Sequence, residues 1–283
     1  MADLARDTTV VPVAGEAGRY RGALSAEWEI WGPMGGYVAA VALRAAGEHT
    51  ELARPASLFC HYLVPGAFDE IEAEVRTLRR GRSTESMAVT LWQGDRRVLE
   101  ASVLATAVVD GLEHHEAAAP DVPGPDDCPD LVDLLPDDAE RPYAFWSNLD
   151  ERVVQWTEPW PPTEALPPTW QAWFRQHGGP WADPWVDACR SVLLVDVAGW
   201  PAAHRHHAWT GPGFWAPSLD LHVAFHTTPV GDPWLLVDGE SPVAADGLVS
   251  SHVRVWAPGG RLVASGGSQL LCRPMAVAPP GAG

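Results

Sequence analysis

A five-residue phrase occurs twice in this chain. Ser57-Leu58-Phe59-Cys60-His61 returns as Ser218-Leu219-Asp220-Leu221-His222. Farther along each half a second match keeps the same order: VTLWQGDRRVL (89–99) corresponds without a gap to VRVWAPGGRLV (253–263), placing Trp92 on Trp256 and Arg97 on Arg261. Two matches in one order are the mark of an internal duplication, so the chain must fold as two copies of one unit.

Each copy carries the same sequence of elements. The later matches read as β-hairpins, with apolar alternation broken at Gln93-Gly94-Asp95 in one and Pro258-Gly259-Gly260 in the other. Upstream of each phrase the pattern predicts a helix. The first, GGYVAAVALRAAGEH, starts at Gly35. The second, DPWVDACRSVLLVDVAG, has Asp183 as N-cap, Pro184 at the first helical position and Gly199 near its stop. A helix followed by antiparallel strands, twice, predicts an α+β fold.

Between the copies the composition changes. Residues 110–140 hold eleven Asp or Glu, no Arg, and prolines at 120, 123, 125, 129 and 136. Such a stretch buries little apolar surface and predicts a linker, mobile at least in part. The expected organisation is therefore a first unit over 1–109, an acidic Pro-rich linker over 110–142, a second unit over 143–274 and a disordered tail over 275–283.

Charge and cysteines narrow the function. A formal charge of −18 repels a phosphate backbone and disfavours nucleic acid. Cys60, Cys128, Cys189 and Cys272 are scattered with no CxxC spacing, which predicts neither a disulfide framework nor a metal site. His204-Arg205-His206-His207 looks like a ligand cluster, but a cation sits inside it, and a loop after the second helix is the expectation. No leader and no run of about 20 apolar residues is visible, so the expected location is the cytoplasm, with no membrane role. Ten of the 15 Trp lie between 146 and 215, a density that predicts core or the roof of an apolar tunnel.

The motifs WEIWGPMGGYVAAVALRAA, RPASLFCHYLVPG and LRRGRSTESMAVTLWQGDRRVLEASVLATA, with PSLDLHVAFHTTP and RLVASGGSQLLCRP in the second half, resemble those of the double-hotdog acyl-CoA thioesterases, the acyl-CoA thioesterase II-like group. The resemblance covers about residues 17–107 and 143–274. It implies two tandem hotdog units, each with a long helix wrapped by a curved antiparallel sheet. It also implies hydrolysis of an acyl thioester, acyl-CoA or a carrier-protein thioester, without cofactor, and a homo-oligomer as a family expectation. Two other readings stay open: a dehydratase, hydratase or cyclase acting on a polyketide thioester, and a non-catalytic thioester-binding module.

The resemblance also assigns residues. It puts the reactive carboxylate on Asp220, whose counterpart in the first copy is Phe59, as general base or as nucleophile. A Gln on the final strand falls on Gln269, with Ser268 one register step away. A hydroxyl between them falls on Ser241, with Ser250 and Ser251 later. Gly35 and Gly36, at a helix start, suit a thioester oxygen that becomes negative. Among Arg76, Arg79, Arg80 and Arg82, the last three are candidates for coenzyme A phosphates, or for pairing with Glu72, Glu74 and Glu85. Cys60 and His61 receive no role.

Overall fold

The computed structural model describes residues 2–136, 143–160, 162–207, 213–227 and 231–275. Its frame is a twelve-stranded sheet. In chain order the strands are β1 (Val11–Pro12), β2 (Arg19–Ala23), β3 (Arg54–Tyr62), β4 (Glu70–Arg80), β5 (Thr84–Gln93), β6 (Arg96–Thr106), β7 (Leu149–Val153), β8 (Thr169–Gln176), β9 (Asp220–Phe225), β10 (Trp234–Glu240), β11 (His252–Ala257) and β12 (Arg261–Gly267). They lie side by side as β1-β2-β4-β5-β6-β3-β9-β12-β11-β10-β8-β7.

That order is a palindrome of one motif. From the centre outwards, β3-β6-β5-β4-β2 on one side is repeated by β9-β12-β11-β10-β8 on the other. The two copies of the repeated phrase are the central strands, and they pair antiparallel with Asp220 opposite His61, Leu221 opposite Cys60 and His222 opposite Phe59. Because Cys60 and Leu221 are equivalent positions, a local two-fold axis passes between them. The duplication in sequence is thus a two-fold in space.

Helices α1 (Gly35–His49) and α2 (Pro184–His204) pack on one face of this sheet and against each other. Both are apolar nearly all round and buried nearly all round, as a helix covered by sheet and by a second helix must be. At the start of α2 the Asp183 carboxylate accepts the Trp185 N–H at 2.8 Å, the expected cap. The helix runs past Gly199 through Pro201, so His204 lies in its last turn rather than in a loop. There it stacks on Trp200, and burial pulls its pKa below the ordinary value. Both predicted hairpins form, closed by Gly94 and by Gly259 and Gly260, all with positive φ.

The acidic segment lies against the second unit. Its described part, up to residue 136, has irregular backbone with two short helical turns, yet it is fastened across the outer face of the second half. Trp173 Nε1 donates to the Pro123 carbonyl at 2.9 Å, His115 Nε2 accepts the Leu262 N–H at 2.8 Å, and Val153 N–H donates to Pro129 O at 2.9 Å. Cys128 packs with Trp173, Trp234, Leu236 and Trp256, flanked by Ala119 and Val122. The outward tryptophans of β8, β10 and β11 supply the apolar surface that the segment itself lacks. Residues 137–142 of the expected linker and 276–283 of the expected tail lie outside the described residues. Among the described residues no helix is long and apolar enough to cross a membrane.

Candidate active site

The helices meet antiparallel, and their closest approach builds the site. Gly36 packs so tightly on α2 that a Cβ there would lie 2.9 Å from Asp196 Cβ and 3.0 Å from Leu193 Cα. Asp196 is a carboxylate in the apolar run Val192-Leu193-Leu194-Val195, and it is buried. Burying an unpartnered carboxylate is costly, so its partners decide whether the position is tolerable. One oxygen, Oδ2, accepts the Gly36 N–H at 2.7 Å and the other, Oδ1, accepts the Ser218 hydroxyl at 2.7 Å. Burial pushes the Asp196 carboxyl above the ordinary carboxylate value, and the two donors only partly oppose that.

Ser218 reaches the helix because the chain bends at Leu219, just before β9. Without the bend, Ser218 and Asp220, two residues apart, would share a face. Within β9, Leu221, Val223 and Phe225 turn to the helices while Asp220 shares the opposite face with exposed His222. The predicted carboxylate therefore sits on the rim. Its Oδ1 accepts the Gln269 backbone N–H at 2.8 Å, and Leu219 N–H donates to Gln269 O at 2.7 Å. Asp220 and Gln269 are thus brought together as expected, with Leu270 bridged to Ser218. The Gln269 side chain is exposed, whereas Ser268 is buried in a bond with Ser251 at 3.1 Å, so Gln269 is the residue whose side chain is free to reach a ligand.

Ser241 is placed elsewhere. Its N–H donates to Pro168 O, and its hydroxyl is buried with no hydrogen bond among the described residues. The hydroxyl in register with Gln269 is Ser250, and the one on a carboxylate is Ser218. Gly36 also departs from expectation, since Asp196 already occupies its N–H; Gly35, as the first helical residue, retains an N–H with no intrahelical acceptor.

The arginine cluster divides. Arg80 is bound to buried Glu85 at 2.9 Å, and Thr50 and Thr77 donate to the same carboxylate at 2.7 and 2.6 Å. Glu72 and Glu74 pair instead with Arg21 and Arg19. Arg79 and Arg82 remain as exposed cations. The donors hold the Glu85 carboxyl below its ordinary value despite burial. A depressed carboxylate stabilises the fold above its unfolded pKa and loses that contribution as pH falls through its folded one. Glu85→Gln should therefore lower thermal stability at neutral pH by about 1–3 kcal/mol. In melts down to about pH 3 the deficit should shrink; a constant deficit would assign the loss to packing alone.

An apolar wall adjoins Asp196. Trp200 lies one turn on along the same face of α2, and with Trp31 it packs beside Ala203, Ala216, Val249 and Leu270. Among the described residues no group of His, Cys, Asp or Glu is gathered as metal ligands would be; His206 Nδ1 instead lies 3.0 Å from Leu166 O.

Comparison with known proteins identifies the family and the fold. A family model described as the acyl-CoA thioesterase N-terminal domain matches residues 24–109, and one described as the acyl-CoA thioesterase C-terminal domain matches residues 125–271. Human acyl-coenzyme A thioesterase 8 is 25% identical over 245 residues, 81% of this chain and 76% of that protein. An acyl-CoA thioesterase II from Mycobacterium marinum superposes with a TM-score of 0.76 at 23% identity, covering 98% of this chain and 99% of its own. A hot dog fold protein of unknown function from Alicyclobacillus acidocaldarius gives 0.79 at 22%, covering 96% and 98%. At these identities the solved structures speak for the fold, which is the double hotdog.

Proposed function

The chain belongs to the acyl-CoA thioesterase family and is a thioester hydrolase of acyl-CoA, and from that premise we propose that Asp196, not Asp220, is the carboxylate that activates water. The observation that carries the reading is the pair of 2.7 Å bonds fixing both Asp196 oxygens between Ser218 and the start of α1. A carboxylate so placed is oriented, desolvated and more basic than a surface Asp, as a general base must be.

In this reading water loses a proton to Asp196 as its oxygen adds to the thioester carbonyl. The carbonyl oxygen becomes negative beside the positive end of α1, where the Gly35 N–H stabilises it. Collapse breaks the C–S bond, and the proton held by Asp196 passes to the departing sulfur, so thiol and free acid leave. Ser218 orients the carboxylate. Gln269, on the strand segment bridged to Ser218, orients the water with an amide that does not titrate. Asp220 is a positioning residue, tying down the backbone of Gln269. The acyl chain runs along Trp200 and Trp31. Arg79 and Arg82 are left to meet the coenzyme A phosphates. A carrier-protein thioester presents the same reacting group and belongs in the same assay.

Thiol release from short, medium, long and aromatic acyl-CoAs tests the assignment, with Ser218→Ala and Asp220→Asn beside the parent. Ser218→Ala should cost about 10²-fold in kcat, the lower end of what a group fixing a general base supplies. Asp220→Asn should cost less than about tenfold, since an amide oxygen still accepts the Gln269 N–H. The reverse order of effects would return the base to Asp220.

A further inference from the structure

The local two-fold gives each helix start a facing position on the other helix, and the two are not alike. Matching the helix starts, Gly35 on Pro184, places Gly36 on Trp185 and Gly47 on Asp196. The contacts obey this: Gly36 meets Asp196, and Gly47 meets the Trp185 ring, 2.8 Å from where its Cβ would be. One site faces a carboxylate across a bare helix start, whereas in its twin the facing position is Gly47 and the space is filled by indole. The asymmetry extends to the central strands, where Tyr62 corresponds to Val223.

Tyr62 ends β3 directly against the start of α1. From the position a Gly35 Cβ would take, Tyr62 Oη and Cζ both lie at 3.2 Å and Asp196 Oδ2 at 3.1 Å. The residue is half-buried, but its hydroxyl oxygen is buried and meets hydrogen-bond geometry with no described residue, the Cys60 thiol being the weak polar group beside it. Cys60, two residues back on the same face, and Asp196 are its charged or titratable neighbours of greatest influence, and burial raises its pKa well above the ordinary tyrosine value. The hydroxyl is therefore a neutral donor at any working pH. An unpaired buried hydroxyl costs about 1–3 kcal/mol, which phenylalanine would avoid at the same volume.

We infer that Tyr62 is a further catalytic residue of this hydrolase, its hydroxyl donating, together with the Gly35 N–H, to the thioester oxygen as it becomes an oxyanion. The inference rests on the assignment of Asp196 as the base, because it is the engagement of the Gly36 N–H by Asp196 that leaves the helix start one donor short. Tyr62 Oη supplies the second donor from the opposite wall. Gly35 then keeps the space open, since a Cβ there would lie 3.2 Å from the phenol oxygen and press on it.

Tyr62→Phe provides the test, measured by steady-state thiol release and thermal melting. Loss of one oxyanion donor typically costs 10²–10³ in rate, and an interaction made only in the transition state lowers kcat and kcat/KM together. The expected result is a fall in kcat of about 10²-fold, KM within twofold, and a melting temperature equal to or above the parent's. A kcat within twofold of the parent, or a loss confined to KM, overturns the inference. Asp196→Asn run in parallel separates the two assignments: full activity there with a collapse in Tyr62→Phe would reject Asp196 as base and leave the tyrosine standing.

Discussion

Asp196→Asn is expected to lower kcat for acyl-CoA hydrolysis by about 10³-fold while the protein stays folded. General bases contribute about 10²–10⁴ in rate, and the larger values suit a group fixed by two hydrogen bonds in a water-poor site. The amide keeps the shape, and its oxygen can still accept from Gly36 or Ser218, so the loss reports proton transfer rather than collapse. The sign of its pH behaviour follows from the raised carboxyl. A carboxylate whose folded pKa is raised stabilises the protein in its protonated form, below the unfolded pKa, and that contribution is lost as pH rises through the folded pKa. At neutral pH the charged Asp196 is therefore a burden on stability, and Asp196→Asn should melt higher than the parent. The gap should close as pH is lowered to about 4, the ordinary carboxylate range. Parent activity should rise with pH along a limb displaced above that range. A variant that melts lower at neutral pH, or keeps turnover, would remove Asp196 from this role.

The repeated phrase made the architecture legible, since two copies of a strand flanked by matching hairpins leave few folds available. What the phrase could not disclose is that its odd acid lies on the rim. The alternation of Leu221, Val223 and Phe225 already set Asp220 with His222 on the other face, but a carboxylate replacing Phe59 drew attention to itself. Asp196 carried the stronger physical signal, as a buried carboxylate of α2 held by two neutral donors, whereas Asp187 on the same helix is paired with Arg190. Asp196 was hidden because its partners are distant in sequence: Ser218 meets it at the bend before β9, and Gly36 meets it only through the two-fold. The contacts of the linker were hidden for a related reason. Its own composition cannot bury surface, but Trp173, Trp234 and Trp256 belong to strands elsewhere and provide that surface for it.

The two-fold also separates the cost of breaking the fold from the cost of breaking the site. Gly36→Ala puts a methyl against Asp196 Cβ and Leu193 Cα, atoms near the helix backbone that cannot swing aside. Overpacking of this kind costs about 1–3 kcal/mol, and here α2 must move away from α1 to relieve it. That movement stretches the Gly36–Asp196 bond and shifts the base against the helix start. Misplacement of about 1 Å can cost about 10²-fold in rate, which is the loss expected in kcat per folded molecule. Gly47→Ala makes the equivalent intrusion at the twin position, 2.8 Å from the Trp185 ring, where no counterpart of Asp196 is present. It should lower the melting temperature similarly and leave kcat within about threefold of the parent, because only one of the two helix-start sites does chemistry. Melting curves and thiol release on the two variants decide the matter. Equal losses of kcat in both would mean that the helix pair, rather than the Asp196 site, governs the rate.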